Sequence, residues 1–286
     1  MEVEQKMPAA NTQRSVRQNG NPDPARSREA SANGSARVVL KVEHLSKTFG
    51  NFQAVDNLSF SVSEGEFIGI IGPNGAGKTT TIYMLLGLIT PSAGDIRIFG
   101  RKLIENREHI LQRTSFASPY ISFPPRLTVE ENLTIFARLY GVRDKSSQIS
   151  KLLKMFEIEN LRDKPVSRLS SGENTRLGLC KAMINNPRLL LLDEPTAFLD
   201  PQAALNVKGV LLDLQRSSRT TIIYTSHNLA DVEAMCQRLI FLSHGRMIAA
   251  GSPIEVTQEI LREDRREPAL AEAFLRIGKG EPNEAV

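Results

Sequence analysis

Apolar residues follow two patterns along this chain, and each predicts a different kind of element. Continuous apolar runs occupy residues 66–71 (Glu-Phe-Ile-Gly-Ile-Ile), 188–192 (Arg-Leu-Leu-Leu-Leu) and 220–225 (Thr-Thr-Ile-Ile-Tyr-Thr). Such runs predict strands covered on both faces, as in a parallel sheet flanked by helices. Residues 38–42, 54–55, 58–62 and 95–99 have strand composition with polar interruptions, which predicts a small antiparallel layer beside that sheet. Helical spacing takes over between these groups. Leu133, Phe136, Ala137 and Tyr140 recur along residues 128–140, and further helical stretches cover 80–86, 149–156, a segment after Ser171, and 202–215. Residues after 252 read as short helices or a tail, weakly amphipathic from 268 to 277. The expected fold is α/β, with a mostly parallel sheet, an antiparallel β layer and a helical insert at about 118–186.

Composition sets the boundaries. Residues 1–36 are rich in Asn, Ser, Ala, Arg, Gln and Pro, and are expected to form a disordered tail because they offer little apolar surface to bury. The main domain is expected over 37–258 and a short helical tail over 259–286. A net charge of +4 is compatible with an anionic membrane surface but too small to argue for nucleic-acid binding. The two cysteines, Cys180 and Cys236, have no metal-ligand spacing and fit a reduced, cytosolic protein. No apolar run approaches the length of a membrane span, and Met1-Glu2-Val3-Glu4 lacks the cationic start of a secretory signal.

The sharpest chemistry lies just after the first buried run. Gly72-Pro73-Asn74-Gly75-Ala76-Gly77-Lys78-Thr79 fits the phosphate-cradling pattern G-x-x-x-x-G-K-[ST], between a strand and a helix beginning near Thr80. In that context backbone amides converge on a phosphate at a helix N-terminus. Lys78 would reach the β- and γ-phosphates of a nucleoside triphosphate, and the Thr79 hydroxyl would ligate magnesium. A glycine-rich turn before a helix is the plain alternative, and the flanking elements disfavour it.

Two further motifs follow. Asp193 and Glu194 end the run at 188–192, where open α/β sheets place ligand chemistry. Asp193 would hold the magnesium shell through water, and Glu194 would polarise the water attacking the γ-phosphate. Upstream, Leu169-Ser170-Ser171-Gly172-Glu173 precedes a helix, where Ser170 and Ser171 can cap and Glu173 suits the first turn. Capping explains each residue alone but not why such a loop precedes the carboxylate strand.

Taken together, these motifs resemble the nucleotide-binding subunit of an ATP-binding-cassette (ABC) transporter, from residue 38 to about 258. The resemblance implies a P-loop NTPase core that binds ATP and Mg2+ through residues Gly72, Pro73, Asn74, Gly75, Ala76, Gly77, Lys78, Thr79 and Thr80. Ser170, Ser171, Gly172 and Glu173 would form the signature that closes on the ATP of a second subunit. The resemblance also implies Thr79 and Asp193 at the metal, and Lys78, Glu194 and His227 in catalysis. Asp200 would contact the dimer partner, and Phe49 would stack on adenine. A lone histidine after a strand is commonly structural, and a phenylalanine at a strand end is commonly core. Two departures stand out. The family's glutamine beyond the lysine is missing from Phe116-Ala117-Ser118-Pro119-Tyr120, where Ser118 or water could substitute; and the signature has Ser171 for glycine and Glu173 for glutamine.

The family relation implies a cytoplasmic ATPase, peripheral on the inner face of the cell membrane. It would power transport through a separate integral-membrane permease, pairing with a second ATPase subunit, as a homodimer, and binding no nucleic acid. Residues 126–133 and 136–141 resemble the drug, lipid or glycan exporter branch. The rival reading is a non-transport ABC-type switch acting on nucleic acid or ribosomes. Its relatives carry long heptad insertions or two cassettes, and neither occurs here. A P-loop kinase or GTPase would leave the signature and His227 without a role.

Overall fold

The computed structural model describes residues 37–278; the tail expected over 1–36 and the last residues, 279–286, lie outside them. Strands β1 (Val38–Phe49), β2 (Phe52–Ser63), β4 (Ala93–Ile98) and β5 (Arg101–Lys102) form an antiparallel sheet in the order β2-β1-β4-β5. The strand pair expected at 54–55 and 58–62 is one strand. The polar step between them is absorbed by a register shift, with His44 (φ 50°) and Asn57 (φ 51°) both left-handed. His44 Nδ1 lies 2.9 Å from Asn57 Oδ1, tying the two irregularities together.

Strand β3 (Phe67–Ile71) enters the phosphate loop, which leads into α1 (Lys78–Leu85). After α2 (Arg107–Leu111) comes β6 (Thr114–Ala117), then three helices: α3 (Val129–Leu139), α4 (Lys145–Met155) and α5 (Ser171–Met183). The chain returns through β7 (Leu189–Asp193), α6 (Pro201–Ser218), β8 (Thr221–Thr225), α7 (Leu229–Met235), β9 (Arg238–Ser243) and β10 (Arg246–Gly251). The second sheet runs β10-β9-β3-β8-β7-β6, parallel except for the antiparallel pair β9–β10. Neither β6 nor the β9–β10 pair was among the expected elements.

Alternation along the central strands divides them between two cores. Phe67, Ile71, Leu190, Leu192, Ile222, Tyr224, Leu239 and Phe241 face α5 and α7, whereas Ile68, Ile70, Leu189, Leu191, Ile223, Ile240 and Leu242 face α1 and the antiparallel layer. Both faces are dry, which is why these strands read as unbroken apolar runs. The helices α8 (Pro253–Leu261) and α9 (Leu270–Gly278) continue the first core. Leu261, Leu270 and Ala273 are buried there, and the Phe274 ring lies 6.0 Å from that of Phe241.

Gly69 sits on the face of β3 that receives α7. A Cβ there would stand 2.8 Å from a Leu239 methyl and within 3.2 Å of Cys236 Sγ and a Val232 methyl. Gly69→Ala is therefore an overpacking change, expected to cost about 1–3 kcal/mol. Urea denaturation checks this as a lowered midpoint at unchanged slope.

Candidate active site

The loop before α1 is shaped by neighbours distant in sequence. A Cβ on Gly72 (φ 148°) would meet the Leu242 carbonyl oxygen at 2.0 Å, and one on Gly77 (φ 99°) would meet that of Ala54 at 2.5 Å. Close backbone approach and left-handed geometry both require glycine at these positions. The β9–β10 turn clamps the loop further: Gly245 N–H donates to Ala76 O at 3.2 Å, and Asp56 N–H donates to Gly245 O at 2.8 Å. Gly77 caps α1 without a side-chain bond, so the first-turn amides keep their donors for a ligand. Lys78 Nζ donates to Gly72 O at 2.7 Å and Pro73 O at 3.0 Å, drawing the loop around the ammonium. Burial pushes the Lys78 pKa below the ordinary lysine range, against the pull of the Glu194 and Asp193 carboxylates.

Those carboxylates arrive on β7. Asp193 pairs in register with Thr225 of β8, and the Thr225 hydroxyl donates to Asp193 Oδ1 at 2.6 Å. The other oxygen, Oδ2, accepts from Thr79 Oγ1 at 3.4 Å. The strand then breaks sharply. Glu194 takes φ 53°, a left-handed conformation unusual for its type, while its N–H is held by Thr225 O at 3.1 Å and Thr225 Oγ1 at 3.2 Å. This turn presents the Glu194 carboxylate to His227, whose Nε2 lies 2.6 Å from Oε1. A cleft of about 520 Å3 opens beside them.

Lys78, Thr79, Asp193, Glu194 and His227 thus gather at one sheet edge. Ser118, directly after the Ala117–Leu192 pair, lies buried at the same edge, its Oγ accepting from Tyr120 N–H at 3.4 Å. Hard oxygen donors from Thr79 and Asp193 suit magnesium, which keeps water and phosphate oxygens in its shell. Among the described residues no group of three His, Cys, Asp or Glu side chains could hold a metal ion. Phe49 stands at the β1–β2 hairpin end, 46% exposed, with Lys47 Nζ 4.9 Å above its ring. It is not a core residue.

Residues 170–173 stand apart from this cluster. Ser170 caps α5 in a reciprocal box: its Oγ accepts from Glu173 N–H at 3.2 Å, and Glu173 Oε2 accepts from Ser170 N–H at 2.7 Å. Among the described residues, none of their hydrogen bonds reaches the phosphate loop. Gly172 lies against the Phe198 carbonyl, 3.0 Å from where a Cβ would stand. Asp200 caps α6, its Oδ1 accepting from Ala203 N–H at 2.9 Å, and that bond holds its carboxyl below the usual range. Cys180 and Cys236 are buried with thiols pushed upward by desolvation, as expected of inert core residues.

The sheet edge thus brings together the phosphate loop, two carboxylates and a histidine, and the comparisons with known proteins define the class. The ABC transporter family profile matches residues 55–197, and the chain belongs to that family. It is 40% identical to a protein named Nod factor export ATP-binding protein I from Burkholderia orbicola, over 75% of this chain and 71% of the relative. The protein of the same name from Ralstonia nicotianae is 39% identical over 78% of this chain and 70% of that one. A solved structure described as the ATP-binding subunit of an ABC transporter superposes with a TM-score of 0.76 at 26% identity, covering 84% of this chain and 99% of that one.

Sequence reasoning assigned no role to Thr225, although a hydroxyl ending a buried apolar run is a visible signal. Its one side chain orients Asp193 and the Glu194 backbone together. Thr225→Val keeps the shape and removes both bonds. Hydrolysis is expected to fall about 10–100-fold, the usual consequence of losing an outer-shell partner. Steady-state ATPase rates, with thermal melting as a folding control, check this.

Proposed function

We propose that this chain hydrolyses ATP to power export through a separate integral-membrane permease, working as a homodimer on the cytoplasmic face of the membrane. The observation that carries the chemistry is the 2.6 Å contact between His227 and Glu194 beside the buried Lys78. The export role rests on the names of the relatives. No helix among the described residues is long and apolar enough to cross a membrane, in keeping with a pore contributed by another chain.

In this reading the phosphate-loop amides and Lys78 hold the β- and γ-phosphates, and Phe49 stacks on the adenine. Thr79 and Asp193 would hold magnesium, with Ser118 replacing the family's glutamine; the ion would supply positive charge that offsets the phosphate oxygens. Glu194 takes a proton from the attacking water. His227, with Nε2–H directed at Glu194, fixes the carboxylate's orientation and would contact the γ-phosphate. Ser170, Ser171 and Gly172 close on the ATP of the second copy, and Asp200 meets that copy near the interface. ATP therefore joins the two subunits, and hydrolysis releases them.

Glu194→Gln is expected to lower the turnover number about 10²–10⁴-fold, the range of general-base catalysis, while keeping ATP binding and trapping the dimer. A normal turnover rate in that variant would remove Glu194 from the base position. Ser118→Ala is expected to raise the magnesium concentration needed for half-maximal rate; an unchanged requirement would exclude Ser118 from the metal shell. Purification from membranes should bring a polytopic membrane protein with the chain. Co-purifying RNA or DNA instead would favour the non-transport reading.

A further inference from the structure

The signature loop carries a carboxylate where a triphosphate is to bind, and the structure holds a counterweight. Glu173 is the third residue of α5, on the same turn as the Ser170 hydroxyl. Its two oxygens receive Lys164 Nζ at 3.1 Å and 3.3 Å, and the pair is largely shielded, with 33% and 20% of the two side chains exposed. Lys164 does not reach this spot by chance flexibility of a loop. Its N–H donates to Leu161 O at 2.9 Å and its carbonyl accepts from Val129 N–H at 3.2 Å, fixing the segment to the start of α3.

Capping alone does not call for this lysine. The described residues contain three reciprocal capping boxes, at Thr128/Glu131, Ser170/Glu173 and Ser252/Glu255. Only the glutamate of the Ser170 box is paired with a cation among the described residues. The Ser170 side chain is bonded to Glu173 twice over: its oxygen accepts from Glu173 N–H, and its hydroxyl also bonds the Glu173 carboxylate, beside which a phosphate oxygen would have to make its contact. An unneutralised Glu173 would set a negative charge beside that contact.

We propose that Lys164 is a positioning residue for ATP clamping: it neutralises Glu173 and holds it back on the Ser170 amide, so that the loop can accept the triphosphate of the second subunit. This rests on the signature reading above and concerns a residue outside that motif. Removing the lysine should weaken closure on ATP without touching the hydrolytic groups at the sheet edge.

The experiment follows ATP-driven dimerisation of the full chain in the Glu194→Gln background, by light scattering against ATP concentration. Lys164→Ala should raise the half-point about three- to fivefold, as for a part-shielded ion pair, and more at low ionic strength. Adding Glu173→Gln should return it to the parent value, because a neutral amide keeps the cap without the charge. With Glu194 intact, Lys164→Ala should raise KM and leave kcat unchanged. Lys164→Met keeps the aliphatic stem and repeats the test should the alanine variant unfold. An unchanged half-point, or a loss that Glu173→Gln does not rescue, overturns the role of Lys164. Failure of the Glu194→Gln parent to dimerise with ATP would instead overturn the signature reading, and Lys164 with it.

Discussion

The in-register parallel pairing of β7 with β8 is the constraint on which the site depends. It places Asp193 opposite Thr225 and, one step later, brings the Glu194 turn against the segment leading to His227. Parallel strands end together, so side chains distant in sequence are delivered to one edge without a dedicated loop. The buried faces leave no other place for them. Every residue of β7 and β8 is covered, so polar chemistry is displaced to the strand ends.

That placement is maintained against local preference. Glu194 holds a left-handed backbone that costs an ordinary residue on the order of 1–3 kcal/mol. Two acceptors from Thr225, the carbonyl and the hydroxyl, fix the amide, so the turn is determined by its surroundings rather than by its own sequence. The same logic applies to Lys78, an ammonium kept in a dry place by two carbonyls and two nearby carboxylates. Desolvation and attraction oppose one another there, and burial is the larger influence.

The phosphate loop was legible because its pattern is local: glycines, lysine and threonine act within eight consecutive positions. Buried strands β3, β7 and β8 were equally plain, since continuous apolar runs have few other uses. Strand β6 was hidden by its polar letters. Thr114 and Ser115 are buried, but their hydroxyls are satisfied by Ile110 O at 3.0 Å and Asn185 Oδ1 at 2.9 Å, partners that no window of sequence reveals. Asn57 masked the continuity of β2 because a residue suited to turns can also sit in a bulge. The Glu194–His227 contact required knowing which strands are neighbours, and the lysine on Glu173 required the segment anchored on α3.

The clamp on the phosphate loop has a wider consequence. Its walls are partly peptide carbonyls of Ala54 and Leu242, contributed by strands that carry no nucleotide chemistry. The turn at Gly245, which cannot accept a Cβ without crowding the Ala54 carbonyl at 2.9 Å, ties both walls to the loop. The binding surface is therefore a joint between two sheets rather than a property of one motif. Any motion that shears the antiparallel layer over the parallel sheet must deform this loop, and in the proposed function a nucleotide held there would resist that motion. The mortar between the sheets and the floor of the pocket are the same atoms.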